Sequence, residues 1–169
     1  MRRRATLAGL IVGGLLAAGG CGPAHVPMRP PPPVDAVGYM LMPTYPIPVN
    51  WDGRAGADGL AVQVYLFRPP AGSLPLTVTG TLEFALYEGK PAPEELERIE
   101  PLRRWRFAGE ARDACRVRSA YGWGYAMRLP WGNEPPATSS VTLTARYVPP
   151  EGKGAPVHAD PTRIAIGPR

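Results

Sequence analysis

Proline is the residue that most restricts what this chain can become. It occupies 23 of 169 positions, and glycine takes another 20. Inside a helix, proline removes a hydrogen bond and clashes with the preceding turn, a cost of about 3 kcal/mol. The stretches between prolines and glycines are short, and most alternate apolar with polar residues. Period-two alternation is the mark of a half-buried strand. The chain is therefore expected to be strands joined by turns, with few long helices.

Leu60–Phe67 is the clearest case. Leu60, Val62, Val64 and Leu66 share one face, and Ala61, Gln63, Tyr65 and Phe67 the other. Thr77–Glu88 repeats the pattern, with Val78, Leu82, Phe84 and Leu86 inward and Gly80 marking a bulge. In Arg103–Phe107, Trp105 and Phe107 point in and the arginines out. Tyr121–Leu129, Val141–Val148 and Thr162–Ile166 alternate likewise. Val37–Met42 reads as a first strand or an apolar strap, kept to an edge by Pro43, Pro46 and Pro48. Pro93–Ile99 carries a short helix signal, with proline and acidic residues at its start. Gly109–Arg118 reads as one or two helical turns, with Ala111, Ala114, Cys115 and Arg118 on one side. Five or six strands between such turns predict an all-β fold. The expected form is a single antiparallel β-sandwich, immunoglobulin-like or transthyretin-like in outline, with a small β-barrel as the alternative. The Cys…Trp…Cys signature of antibody domains is absent.

The N-terminus follows different rules. Arg2, Arg3 and Arg4 precede an apolar run from Leu7 to Leu16, then the small residues Ala17–Gly20, then Cys21. This is the three-part layout of a secretory signal, too short for a comfortable membrane span. With Cys21 at its end it resembles the signal of bacterial lipoproteins. That resemblance implies cleavage between Gly20 and Cys21 and acyl chains on the Cys21 thiol. Ala18 stands where the best-matched signals carry leucine. The rival reading is an ordinary secretory signal with an incidental cysteine. Two or three acyl chains, at about 0.8 kcal/mol per buried methylene, hold a protein on a bilayer where one does not. Gly22 is not the aspartate that retains enteric lipoproteins in the inner membrane, so the resemblance favours the outer membrane. The expected organisation is a signal over 1–20, a lipidated cysteine and Pro-rich tether over 21–36, and the β-sandwich over 37–169. The tether, with Pro27 and Pro30–Pro33, suits polyproline II, a semi-stiff spacer rising about 3.1 Å per residue.

Charge and cysteine content narrow the partners. The formal net charge is +5, from 19 Lys and Arg against 14 Asp and Glu. Removing Arg2, Arg3 and Arg4 takes 19 to 16 and leaves the mature chain near +2. No basic stripe remains to argue for nucleic acid. Acylation of Cys21 leaves Cys115 without a disulfide partner. Cys115 is either a small buried hydrophobe or a thiol activated by Arg116 and Arg118.

Four features carry functional readings. Asn50–Gly59, with two Asp-Gly pairs, reads as turns. An EF-hand-type Ca²⁺ loop is disfavoured by Arg54 at a ligand position, and no metal or cofactor is expected. Glu94 and Glu95 invite an acid–base reading but suit the solvated first turn of a helix. Tyr121, Trp123 and Tyr125, with Trp131 nearby, form either a stacking platform for sugar rings or bases, or a row of core side chains beside close-packing glycines. The chain has two histidines, no His pair at ligand spacing, no Gly-x-Ser-x-Gly and no phosphate-binding glycine loop. An enzyme is therefore not expected, a hydrolase built from two distant carboxylates being the remaining route.

Gly80-Thr81-Leu82-Glu83-Phe84 with Leu86-Tyr87, then Trp105-x-Phe107, then Gly122-Trp123-Gly124-Tyr125 before Leu129, resemble uncharacterised β-domains of other bacterial lipoproteins. These are core motifs, so the resemblance implies a fold and supplies no active site. The expected function is that of a lipid-anchored, non-enzymatic lipoprotein of the cell envelope that binds or supports an envelope protein assembly. The alternative is a glycan- or small-ligand-binding module using Tyr121, Trp123, Tyr125 and Trp131.

Overall fold

The alternation read from the sequence becomes two facing sheets. The computed structural model describes residues 29–43, 46–68, 73–132 and 135–166. The signal segment and Cys21 lie outside the described residues. Among the described residues, ten strands run in chain order: β1 (Tyr39–Leu41), β2 (Ile47–Val49), β3 (Gly59–Phe67), β4 (Thr81–Glu88), β5 (Arg103–Phe107), β6 (Arg116–Ser119), β7 (Gly122–Pro130), β8 (Ser140–Val148), β9 (Val157–His158) and β10 (Thr162–Ala165). One short helix, α1 (Gly109–Asp113), joins β5 to β6.

Every pairing between these strands is antiparallel. The first sheet has the order β1-β3-β7-β6, with β2 also on β3; the second has β10-β8-β4-β5, with β9 also on β8. Two open sheets make a sandwich and exclude a closed barrel. Taking β1 and β2 as strand A and β9 and β10 as strand G, the sheets read A-B-E-D and G-F-C-C′. That is an immunoglobulin-like order.

Proline explains the edge. Six positions separate Leu41 from Ile47, but four separate their partners Tyr65 and Ala61. The edge strand therefore holds two more residues than its partner between these pairings, in the stretch bounded by Pro43 and Pro46. Pro48 has no N–H to donate, and opposite Leu60 on an edge it needs none to reach a further strand.

The inner faces make one core. Leu60, Val62, Val64 and Leu66 of β3 and Tyr125, Met127 and Leu129 of β7 meet Leu82, Phe84 and Leu86 of β4 and Val141, Leu143 and Tyr147 of β8. Each such side chain contributes about 1.5–3 kcal/mol by leaving water.

Two segments differ from the sequence reading. Only Gly109–Asp113 is helical in the predicted Gly109–Arg118 stretch, and Arg116–Ser119 is strand. That backbone pairs with β7 instead, from Arg116 opposite Tyr125 to Ser119 opposite Gly122. The predicted helix at Pro93–Ile99 is one 3₁₀ turn, Pro93–Glu95. Arg103 also turns inward rather than out: it shares the face of Trp105, and its Nε donates to the Trp131 carbonyl at 3.0 Å.

The Pro-rich stretch is bonded to the domain from Pro31 onward. The Val34 N–H donates to the Thr77 carbonyl at 2.9 Å, and the Thr79 N–H to the Val34 carbonyl at 3.1 Å. The Thr77 hydroxyl donates to the Pro31 carbonyl, and the Tyr147 hydroxyl to that of Asp35. The Asp35 carboxylate accepts from the Thr79 hydroxyl and pairs with Lys153.

Candidate functional site

Three strands of the second sheet present charge outward in register. Glu83 of β4 lies opposite Arg106 of β5 on one side and Arg146 of β8 on the other. Arg146 grips one Glu83 oxygen at 2.7 Å through Nη2 and 2.8 Å through Nε. The Arg106 Nε approaches the other oxygen at 3.5 Å. Arg104, one outward position along β5, pairs with Glu100 at 3.4 Å. The β4–β5 connection stands over this face with Pro93, Leu96, Arg98 and Ile99. Beneath it runs a groove of about 830 Å³, open to solvent and bordered at β9 by His158.

The groove has a mixed electrostatic character with an excess of positive charge. Arg98, Arg104, Arg106 and Arg146 line it against Glu83, Glu97 and Glu100. The guanidinium groups of Arg104 and Arg106 are mostly in solvent, with side chains 61% and 72% exposed. Both Glu83 oxygens are taken by arginines. The arrangement suits recognition of carboxylates by planar, forked donors.

The residues singled out from the sequence fall elsewhere. The aromatic row divides. Tyr125 is fully buried, and its hydroxyl accepts the Val78 N–H at 2.9 Å. Trp131 is 2% exposed and donates through Nε1 to the Ala57 carbonyl at 2.7 Å. Trp123 is half-buried. Tyr121 alone stands in solvent, its ring edge-on to Tyr65 at 5.8 Å. Of the four rings in the possible stacking platform, Tyr125 and Trp131 are therefore core side chains, while Tyr121 and half-buried Trp123 lie outside the core. On the other face of β7, Gly124 makes room for Tyr65, since a β-carbon there would fall 2.8 Å from its ring.

Cys115 is half-buried and packs against the core. Its thiol donates to the Ala111 carbonyl at 3.3 Å, and burial pushes its pKa above the ordinary 9.0. Arg116 pairs with Asp113 rather than activating the thiol. Glu95 accepts the Ala92 N–H at 2.7 Å, a capping role. In the Asn50–Gly59 loop the side-chain oxygens bond the loop's own backbone. Asp58 accepts from the Trp51 and Asp52 N–H groups, Asn50 from Gly53, and Asp52 from Arg54. That is turn chemistry. Among the described residues, no group of three His, Cys, Asp or Glu side chains could hold a metal ion. Cys21 lies outside the described residues.

Sequence reasoning missed the groove. The outward arginines of β5 were legible, but their alignment with Glu83 and Arg146 depends on which strands pair. No protein-family model, curated protein or solved structure matches this chain.

Proposed function

We propose that this chain is a lipid-anchored, non-enzymatic lipoprotein of the bacterial cell envelope, tethered through acyl chains on Cys21. In this reading the groove on the second sheet binds an envelope protein partner through an acidic, extended segment. One observation carries it: Arg104 and Arg106 project from an edge strand into solvent beside a groove whose floor is already charge-ordered by Glu83 and Arg146. Solvated arginines at a rim steer an acidic partner and set its register. The signal-like N-terminus supports an encounter at the membrane.

The test is crosslinking in intact cells, then purification and identification of what travels with the protein. A charge-reversed form, Arg104→Glu with Arg106→Glu, is the comparison. Recovery of one recurrent envelope partner should fall at least about tenfold, equivalent to ~1.4 kcal/mol, and the wild-type complex should weaken with added salt. Unchanged recovery from a folded double variant would sink the groove reading. A Cys21→Ser form should leave the membrane fraction, and its retention there would sink the anchor.

A further inference from the structure

Leu74 and Tyr121 have the greatest exposure among the described large hydrophobic residues, at 79% and 68%. They are distant in sequence yet neighbours in the fold. Their adjoining residues touch: the Pro75 ring covers Gly122, 3.0 Å from where a β-carbon would sit. Leu74 adds nothing to the core from this position. Tyr121 sits at the tip of the β6–β7 hairpin, where Ser119 pairs with Gly122.

The same end receives the N-terminal segment. Thr77, three residues beyond Leu74, donates its hydroxyl to the Pro31 carbonyl at 2.7 Å. The chain therefore leaves the domain toward Cys21 beside the exposed pair. Pro31 is ten positions beyond Cys21, a reach of at most about 35 Å. That is close to the ~37 Å diameter expected of a domain this size. Arg29, Arg68 and Arg118 are exposed at this end. Lys153 pairs with Asp35; the opposing charges toward this end are the exposed Glu151 in the β8–β9 connection and Glu110 and Asp113 of α1, with Asp113 already paired to Arg112 and Arg116.

We propose that this end of the sandwich rests on the lipid surface. Leu74 and Tyr121 enter the interfacial zone, and the arginines face anionic headgroups. This rests on the anchored reading of Cys21. Tyrosine suits the headgroup level, with an apolar ring and a polar tip, and basic side chains add attraction to an anionic leaflet. The short strap then orients the domain, so that the groove on the second sheet lies to the side, away from the bilayer.

The experiment uses the chain from Cys21 onward with Cys115→Ala, coupled through the Cys21 thiol to a maleimide lipid. The vesicles are phosphatidylethanolamine and phosphatidylglycerol. Amide hydrogen exchange is compared with the same chain capped by a small maleimide and free in solution. Exchange at 73–76 and 119–122 should slow at least about threefold on the vesicle, while 93–100 at the other end stays unchanged. The double variant Leu74→Ser, Tyr121→Ser, which removes two exposed side chains and keeps the core, should lose that slowing. Equal exchange at both ends, slowing centred on the groove, or slowing that survives in the double variant would each overturn the proposal. Chemical coupling makes the result independent of acylation in cells, which membrane retention of wild type against Cys21→Ser tests separately.

Discussion

Gly80 sits where the chain entering β4 comes closest to β8. A β-carbon there would fall 2.2 Å from the Val148 carbonyl oxygen and 2.6 Å from the Tyr147 ring. Neither neighbour can give way, one being backbone and the other a core ring. Gly80→Ala should therefore destabilise the fold by about 3 kcal/mol, read as a lowered urea midpoint. A loss under about 0.5 kcal/mol would mean that the strand shifts freely. Two weak acids, half-buried Cys115 and buried Tyr147, set a pH response. Burial raises the Cys115 thiol above its ordinary 9.0 and the Tyr147 phenol above its ordinary 10.0. The unfolded chain then loses these protons first as pH climbs. The stability they contribute is complete below the ordinary values and is lost as pH rises through the raised ones. Melting temperature should fall from about pH 9 upward, and Tyr147→Phe should flatten the later part of that fall. The same substitution removes the hydrogen bond to the Asp35 carbonyl, costing about 1 kcal/mol at neutral pH. A wild-type melting temperature flat from pH 8 to 11 would contradict this account.

The strap over residues 31–35 shows what an element owes to its surroundings. Its prolines read as a spacer because nothing in their pattern is periodic, and its bonds go to single atoms of a distant connection. Thr77 and Tyr147 each lose a partner if it is removed. A chain beginning at Gly38 should be about 2–3 kcal/mol less stable than one beginning at Arg29, since buried hydroxyls are left unpaired and Val34 leaves the core's margin. Equal urea midpoints would show the strap to be peripheral. Elements whose apolar faces alternate, such as β3 and β8, were legible because burial on one face fixes the register. The stretch after α1 was not. Ala111, Ala114, Cys115 and Arg118 fall at helical spacing, yet Arg116–Ser119 pairs along β7. Tertiary pairing overrode local propensity there. The buried Arg112 ties the helix to the start of β4, binding the Gly80 carbonyl at 2.6 Å and the Asp113 carboxylate.

At the scale of the whole molecule, the division of strands between two sheets is what a single chain conceals. Inner faces can be read from alternation, but the partner of each face cannot. The sandwich was accordingly visible in the sequence, whereas the groove, made by β5, β4 and β8 in register, was not. The core that results is undivided. Trp131, at the end of β7, reaches the Ala57 carbonyl within the first sheet's loops and accepts from Arg103 of the second sheet. Trp105 of β5 donates across to the Pro130 carbonyl at 3.2 Å. Neither sheet can separate without stripping the other of buried apolar surface and of these bonds. Unfolding should be one cooperative transition: tryptophan emission, to which Trp105 and Trp131 between the layers contribute alongside Trp51 and Trp123, and far-ultraviolet circular dichroism, which reports the strands, should share one urea midpoint. Antiparallel pairing between strands as distant as β4 and β8 also predicts refolding in milliseconds to seconds rather than microseconds. Midpoints that differ between the two signals would mean that the layers are separable, and that the strap and the groove belong to parts of unequal stability.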